Sequence, residues 1–132
     1  MSIVVTNTTR HLVPKVPFSK ITKKVMGVSY ALSIVFVTPA KIRVLNRTYR
    51  KKDSSTDILS FSVSKQIGEL YFSMPDVKKK APSFGLSAPA YLKYLYIHGL
   101  VHLKGFDHGK KMDTLERTYC RQFNFKHPSQ TA

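Results

Sequence analysis

Apolar positions along this chain change period several times, and each change marks an element. Residues 3–5 form a β-branched run that predicts a short opening strand; Phe18, Ile21 and Val25 then recur at helical spacing before a stop at Gly27. Val28 to Val37 is β-rich and apolar, as suits a central strand. Thr38 next offers an N-cap and Pro39 the first helical position, so a second helix follows. In it Ile42, Leu45 and Tyr49 share one face, and Lys41, Arg43, Arg47 and Arg50 populate the rest.

The polar stretch 51-KKDSSTD-57 leads into two extended runs, 58-ILSFSV-63 and 69-ELYFSM-74, which read as a β-hairpin connected through Gly68. From Pro75 to Ala88 the chain is rich in Pro, Ser and Lys and reads as a loop holding at most a short helix. Ser87 is a good N-cap, and Ala90 to Lys104 has a helical pattern ended by Gly105. Asp113 to Phe123 supports a last helix with Leu115, Tyr119 and Gln122 on one side, while residues 126–132 are expected to fray. With no repeat and no boundary, the expectation is one α+β domain over residues 1–125, a small mixed four-stranded sheet covered by helices.

Composition narrows the function. The chain has 132 residues, 42% of them hydrophobic, so it can bury a core. Its 22 Lys+Arg face 7 Asp+Glu, a formal net charge of +15, which makes polyanions the natural partners. The longest uncharged run, Val25 to Ala40, is too short to cross a bilayer of about 30 Å, so no membrane partner is expected. The N-terminal MSIVVTNTTR lacks the positive region of a secretory signal, which points to the cytoplasm. Cys120 is the only cysteine, which rules out an internal disulfide or a cysteine-based zinc finger, and it reads as a small core residue.

The chemistry concentrates in 98-HGLVHLKGFDH-108. His98 and His102, four apart on a helix, can aim at one ion, and Gly105 can turn the chain so that His108 returns to the same point. This is the H-x-x-x-H-x-x-G-x-x-H ligand frame of the metzincin proteases. Three neutral imidazoles favour Zn²⁺ and leave its fourth position open, as in catalytic sites. Asp107, beside the third ligand, either orients an imidazole or caps a turn. His11 and His127 lie far off in sequence and are read as non-ligands. Gly99 stands where a zinc peptidase carries the glutamate that moves a proton to the leaving amine, so the frame points away from peptide substrates. Cleavage of a phosphodiester depends more on stabilising charge at phosphate, which a metal and an arginine can supply.

The same segment resembles the H-G-x-x-H-L-x-G-[YF]-D-H signature of the YbeY family of single-domain, metal-dependent endoribonucleases. The stretch 45-LNRTYRKKDSSTDILSF-61 is similar to that family's upstream motif, and 68-GEL-70 corresponds to its hairpin segment. The resemblance implies His98, His102 and His108 as ligands of one Zn²⁺ per chain and Arg50 as the arginine of activity. A guanidinium there can hold a scissile phosphate through two parallel bonds. Ser55 stands where proline is usual and Glu69 where aspartate is usual.

The resemblance further implies a zinc-binding helix beside a basic cleft, and cleavage of single-stranded RNA in ribosomal RNA maturation and ribosome quality control. Ribosomal RNA precursors, and small-subunit ribosomal proteins with them, are the implied partners. The residues leave open whether water or the ribose 2′-OH attacks phosphorus. An assembly factor that binds rRNA and ribosomal proteins around a structural zinc fits the charge equally well. A peptidase is disfavoured by Gly99.

Overall fold

The computed structural model describes residues 2–128. Its elements, in chain order, are β1 (Ser2–Asn7), α1 (Phe18–Met26), β2 (Ala31–Phe36), α2 (Pro39–Arg50), β3 (Ile58–Ser64), β4 (Ile67–Phe72), α3 (Met74–Lys80), α4 (Ala88–Leu103) and α5 (Lys110–Gln122). A 3-10 turn at Ala81–Phe84 links α3 to α4. The four strands form one sheet in the order β1-β2-β4-β3, with β1 and β4 parallel to β2 and β3 antiparallel to β4. This is the mixed four-stranded α+β architecture the apolar pattern implied.

Strand alternation divides the apolar side chains between two faces. Leu32, Ile34 and Phe36 of β2, with Leu70 and Phe72 of β4, join the main core under α1 and α4. There Tyr96 of α4 meets Phe18 of α1 edge-on at 4.8 Å and Phe72 at 6.4 Å, and its hydroxyl hydrogen-bonds Thr22. Val35, Leu59, Phe61 and Tyr71 turn the other way and pack on Ile42 and Leu45 of α2 in a much smaller cluster. The chain thus has one deep core and one shallow one.

Both anticipated N-caps form: Thr38 Oγ1 accepts from the Lys41 N–H and Ser87 Oγ from the Ala90 N–H, each at 3.2 Å. Two expectations change, and the short helix allowed for between them forms. Gly68 lies inside β4, where the Tyr30 hydroxyl packs against the place a Cβ would take, and the hairpin turns at Lys65–Gln66. The Lys-rich stretch after Ser73 is helical, with Pro75 tolerated in its first turn. In α5 the buried line is Met112, Glu116 and Cys120, and Gln122 is exposed. Of the tail expected to fray, His127 is 4% exposed, and residues 129–132 lie outside the described residues.

Candidate metal centre

Helix α4 is apolar almost all round because α1, α3, α5 and the sheet enclose it, with Tyr91, Leu92, Leu95, Tyr96, Ile97, Gly99, Leu100 and Val101 buried. Only a narrow strip remains for polar side chains, and that strip carries half-buried His98 and exposed His102. Gly99 points straight at the sheet: a Cβ there would stand 2.8 Å from Ile58 Cδ1 and 3.0 Å from Leu70 Cδ2. A glutamate at 99 would drive a charge into that contact instead of toward the histidines. Position 99 therefore faces the sheet and not the histidines, and any side chain there would have to shift the ends of Ile58 and Leu70.

After α4, Gly105 takes φ +101°, a conformation open to glycine, and brings His108 back. The His108 ring centroid lies 5.4 Å from that of His98 and 6.5 Å from that of His102. All three imidazoles proposed from sequence are thus gathered at one corner.

Two of the rings are fixed by their Nδ1 atoms. Nδ1 of His102 lies 3.1 Å from the Phe106 carbonyl, which can only accept, so that nitrogen donates. Nδ1 of His98 lies 2.5 Å from Oε2 of Glu116. Both arrangements leave the Nε2 lone pair free for a metal, the pattern that orients imidazoles toward an ion. Three imidazoles, two of them pinned at Nδ1 from behind, make a donor set that fits Zn²⁺.

Asp107 is exposed and hydrogen-bonds none of the three rings among the described residues. The orienting positions are taken by Glu116 and the Phe106 carbonyl instead. Glu116, missed from sequence, has a side chain 5% exposed and also accepts from the Tyr94 hydroxyl at 3.3 Å through Oε1. Burial, then the Glu116 charge, pushes the Tyr94 phenol well above its ordinary range. His127 Nε2 lies 3.4 Å from the same Oε1, and its ring meets Tyr94 edge-on at 5.2 Å. Asp113, Glu116 and His127 place one donor atom each within 4.8 Å of the others, a group that could hold a metal ion. A cavity of about 340 Å³ opens beside the rings, lined by Tyr94, His98, His108, Gly109, Met112, Asp113 and Glu116.

Arg50 occupies the last residue of α2, the helix on the other face of the sheet from α4. It is exposed and has no hydrogen bond or ion pair among the described residues, unlike Arg43, which is held by Asp53 through two bonds at 2.9 and 3.2 Å. The segment after it is tied back to α4. Asp57, 7% exposed, accepts from the Tyr91 hydroxyl at 2.7 Å, and Ile58 packs on Gly99. Asp57 therefore sets the start of β3 beside the histidine helix.

Comparison with known proteins places this geometry in a family. Residues 3–124 match the family model described as Endoribonuclease YbeY. A relative of that name from Geobacillus kaustophilus is 36% identical, the match covering 59% of this chain and 60% of the relative. One from Bacillus thuringiensis is 35% identical over 64% of each. The chain thus spans about three-fifths of the length of the curated relatives it matches. The solution structure of TM1509 from Thermotoga maritima shares the fold, with a TM-score of 0.60 over 92% of this chain and 91% of that one at 22% identity.

Proposed function

Because the chain belongs to the endoribonuclease YbeY family, we propose that it is a zinc-dependent endoribonuclease that cuts single-stranded RNA, with ribosomal RNA precursors in the cytoplasm as substrates. The supporting observation is the gathering of three imidazoles at one corner with Nδ1 of His98 and of His102 engaged from behind. His98, His102 and His108 would hold one Zn²⁺ per chain. When bound, that ion supplies Lewis acidity at a phosphoryl oxygen.

The remaining work falls to the chain's own side chains. Arg50, unpaired among the described residues, offers the two parallel N–H donors that grip a phosphodiester and offset its growing charge. Excess Lys and Arg hold the backbone on either side, which makes binding fall steeply with salt. Gly99 contributes no proton transfer, so peptide hydrolysis finds no general base at that position. A cavity of about 340 Å³ suits a splayed nucleotide better than a stacked duplex.

The test is cleavage of an rRNA precursor fragment bearing a single-stranded 3′ extension, by wild type and by His98→Ala of unchanged fold. Only wild type is expected to cut, with RNA affinity nearly equal in the two. If both bind and neither cuts, a non-catalytic assembly factor with a structural zinc, for which the +15 charge also speaks, replaces this reading. Equal cutting would place the activity elsewhere. A single 2′-deoxy substitution at the scissile site separates the two nucleophiles: it abolishes cleavage if the ribose 2′-OH attacks and spares it if water does.

A further inference from the structure

We propose that Glu116 is the positioning residue of the metal centre: it fixes the orientation of His98 through Nδ1, and Tyr94 and His127 hold its carboxylate in place. The inference deepens the zinc reading and rests on it.

Each carboxylate oxygen has its own task. Oε2 faces His98 Nδ1 at 2.5 Å, while Oε1 faces the Tyr94 hydroxyl at 3.3 Å and His127 Nε2 at 3.4 Å. The carboxylate is thus fastened on one side and presented to a single imidazole on the other. Its side chain is 5% exposed, as is that of His127, so water competes little for these bonds. A carboxylate accepts and does not donate, which places the His98 proton on Nδ1 and keeps Nε2 free as a ligand. Ligands held this way lose roughly 10–100-fold in metal affinity when the partner is removed. His127 reaches this network from beyond the end of α5, so the chain's last described turn closes the back of the centre.

The nearby trio of Asp113, Glu116 and His127 suggests a rival, in which Glu116 is itself a metal ligand. The hydrogen-bond pattern argues against it. Both oxygens of Glu116 already have protein partners, Oε2 in His98 and Oε1 in Tyr94 and His127.

The experiment is competition for Zn²⁺ against a chelator of known affinity, with Co²⁺ absorption as the spectroscopic signature. Wild type, His98→Ala, His102→Ala, Glu116→Gln and Glu116→Ala are compared, each checked for fold by circular dichroism. Both histidine variants are expected to lose the site. Glu116→Ala should bind at least tenfold more weakly than wild type, and Glu116→Gln, which keeps an acceptor for Nδ1, should fall between them with an altered Co²⁺ spectrum. In metal-free protein, ¹⁵N correlation spectra should show His98 as the Nδ1–H tautomer in wild type and a shift toward Nε2–H in Glu116→Ala. Should Glu116→Ala fail to fold, Glu116→Gln and the wild-type tautomer still decide the matter.

If Glu116→Ala binds Zn²⁺ and keeps the His98 tautomer of wild type while the histidine variants lose the ion, the positioning role is overturned and the triad stands. If His98→Ala and His102→Ala bind like wild type, the triad itself falls. If only the Glu116 variants lose the ion, Glu116 is a ligand and the rival is correct.

Discussion

The corner where α4 meets α5 and the free end of α2 carry the two halves of the proposed chemistry, and they are held in opposite ways. At the corner, His98 leans on a buried carboxylate that itself has two further partners. At the end of α2, Arg50 is exposed and unpaired among the described residues, on a helix whose core contact is Ile42 with half-buried Leu45. A metal ligand must be aimed before the ion arrives, so its supports are buried and polar groups answer one another. A side chain that grips a mobile polyanion needs reach, and loses it if an acidic neighbour claims it, as Asp53 claims Arg43.

The sharpest way to break the corner is Gly99→Glu. Its side chain would displace Ile58 and Leu70 and bury a charge, so a loss above roughly 4 kcal/mol and failure to fold are expected in urea titrations. Next comes the shallow core. Ile42→Ala, at a fully buried position, should cost about 2–5 kcal/mol by the same measurement.

Arg50→Ala should do the reverse, lowering RNA cleavage on the order of 10²-fold while changing stability by less than about 0.5 kcal/mol. Arg50→Lys should not restore the rate, since a lone ammonium lacks the paired donors.

The smallest effect concerns Cys120 beneath the corner. Burial, with the Glu116 charge second, pushes its thiol from about 9 up to about 12. The unfolded chain therefore gives up this proton first, and the associated stability is complete below about pH 9 and lost as pH rises toward 12. Urea midpoints should fall through that window, less steeply in Cys120→Ala, and alkylation of the native thiol should be slow.

The contrast also explains what could be read from sequence. The histidine frame, the two capped helices and the apolar strands are local patterns, and a short window contains each of them. Glu116 is different. It sits eight residues beyond His108 on a helix whose Leu115 and Tyr119 mark the neighbouring face, and its partners come from two distant places in the chain, Tyr94 and His98 from α4 and His127 from beyond α5. A glycine in a strand and a glycine in a turn look alike until the Tyr30 hydroxyl is placed, which is why the hairpin was expected to turn at Gly68. His127 gave no sign, because its role depends wholly on where α5 delivers it.

The central claim is that the histidine corner holds the metal on which RNA cleavage depends. The most direct measurement strips the protein with a chelator and follows cleavage of a single-stranded RNA as Zn²⁺ is returned. Activity should vanish on stripping and return in full at one Zn²⁺ per chain, with RNA affinity unchanged throughout. Stripped protein that cuts as fast as the loaded form would contradict the account.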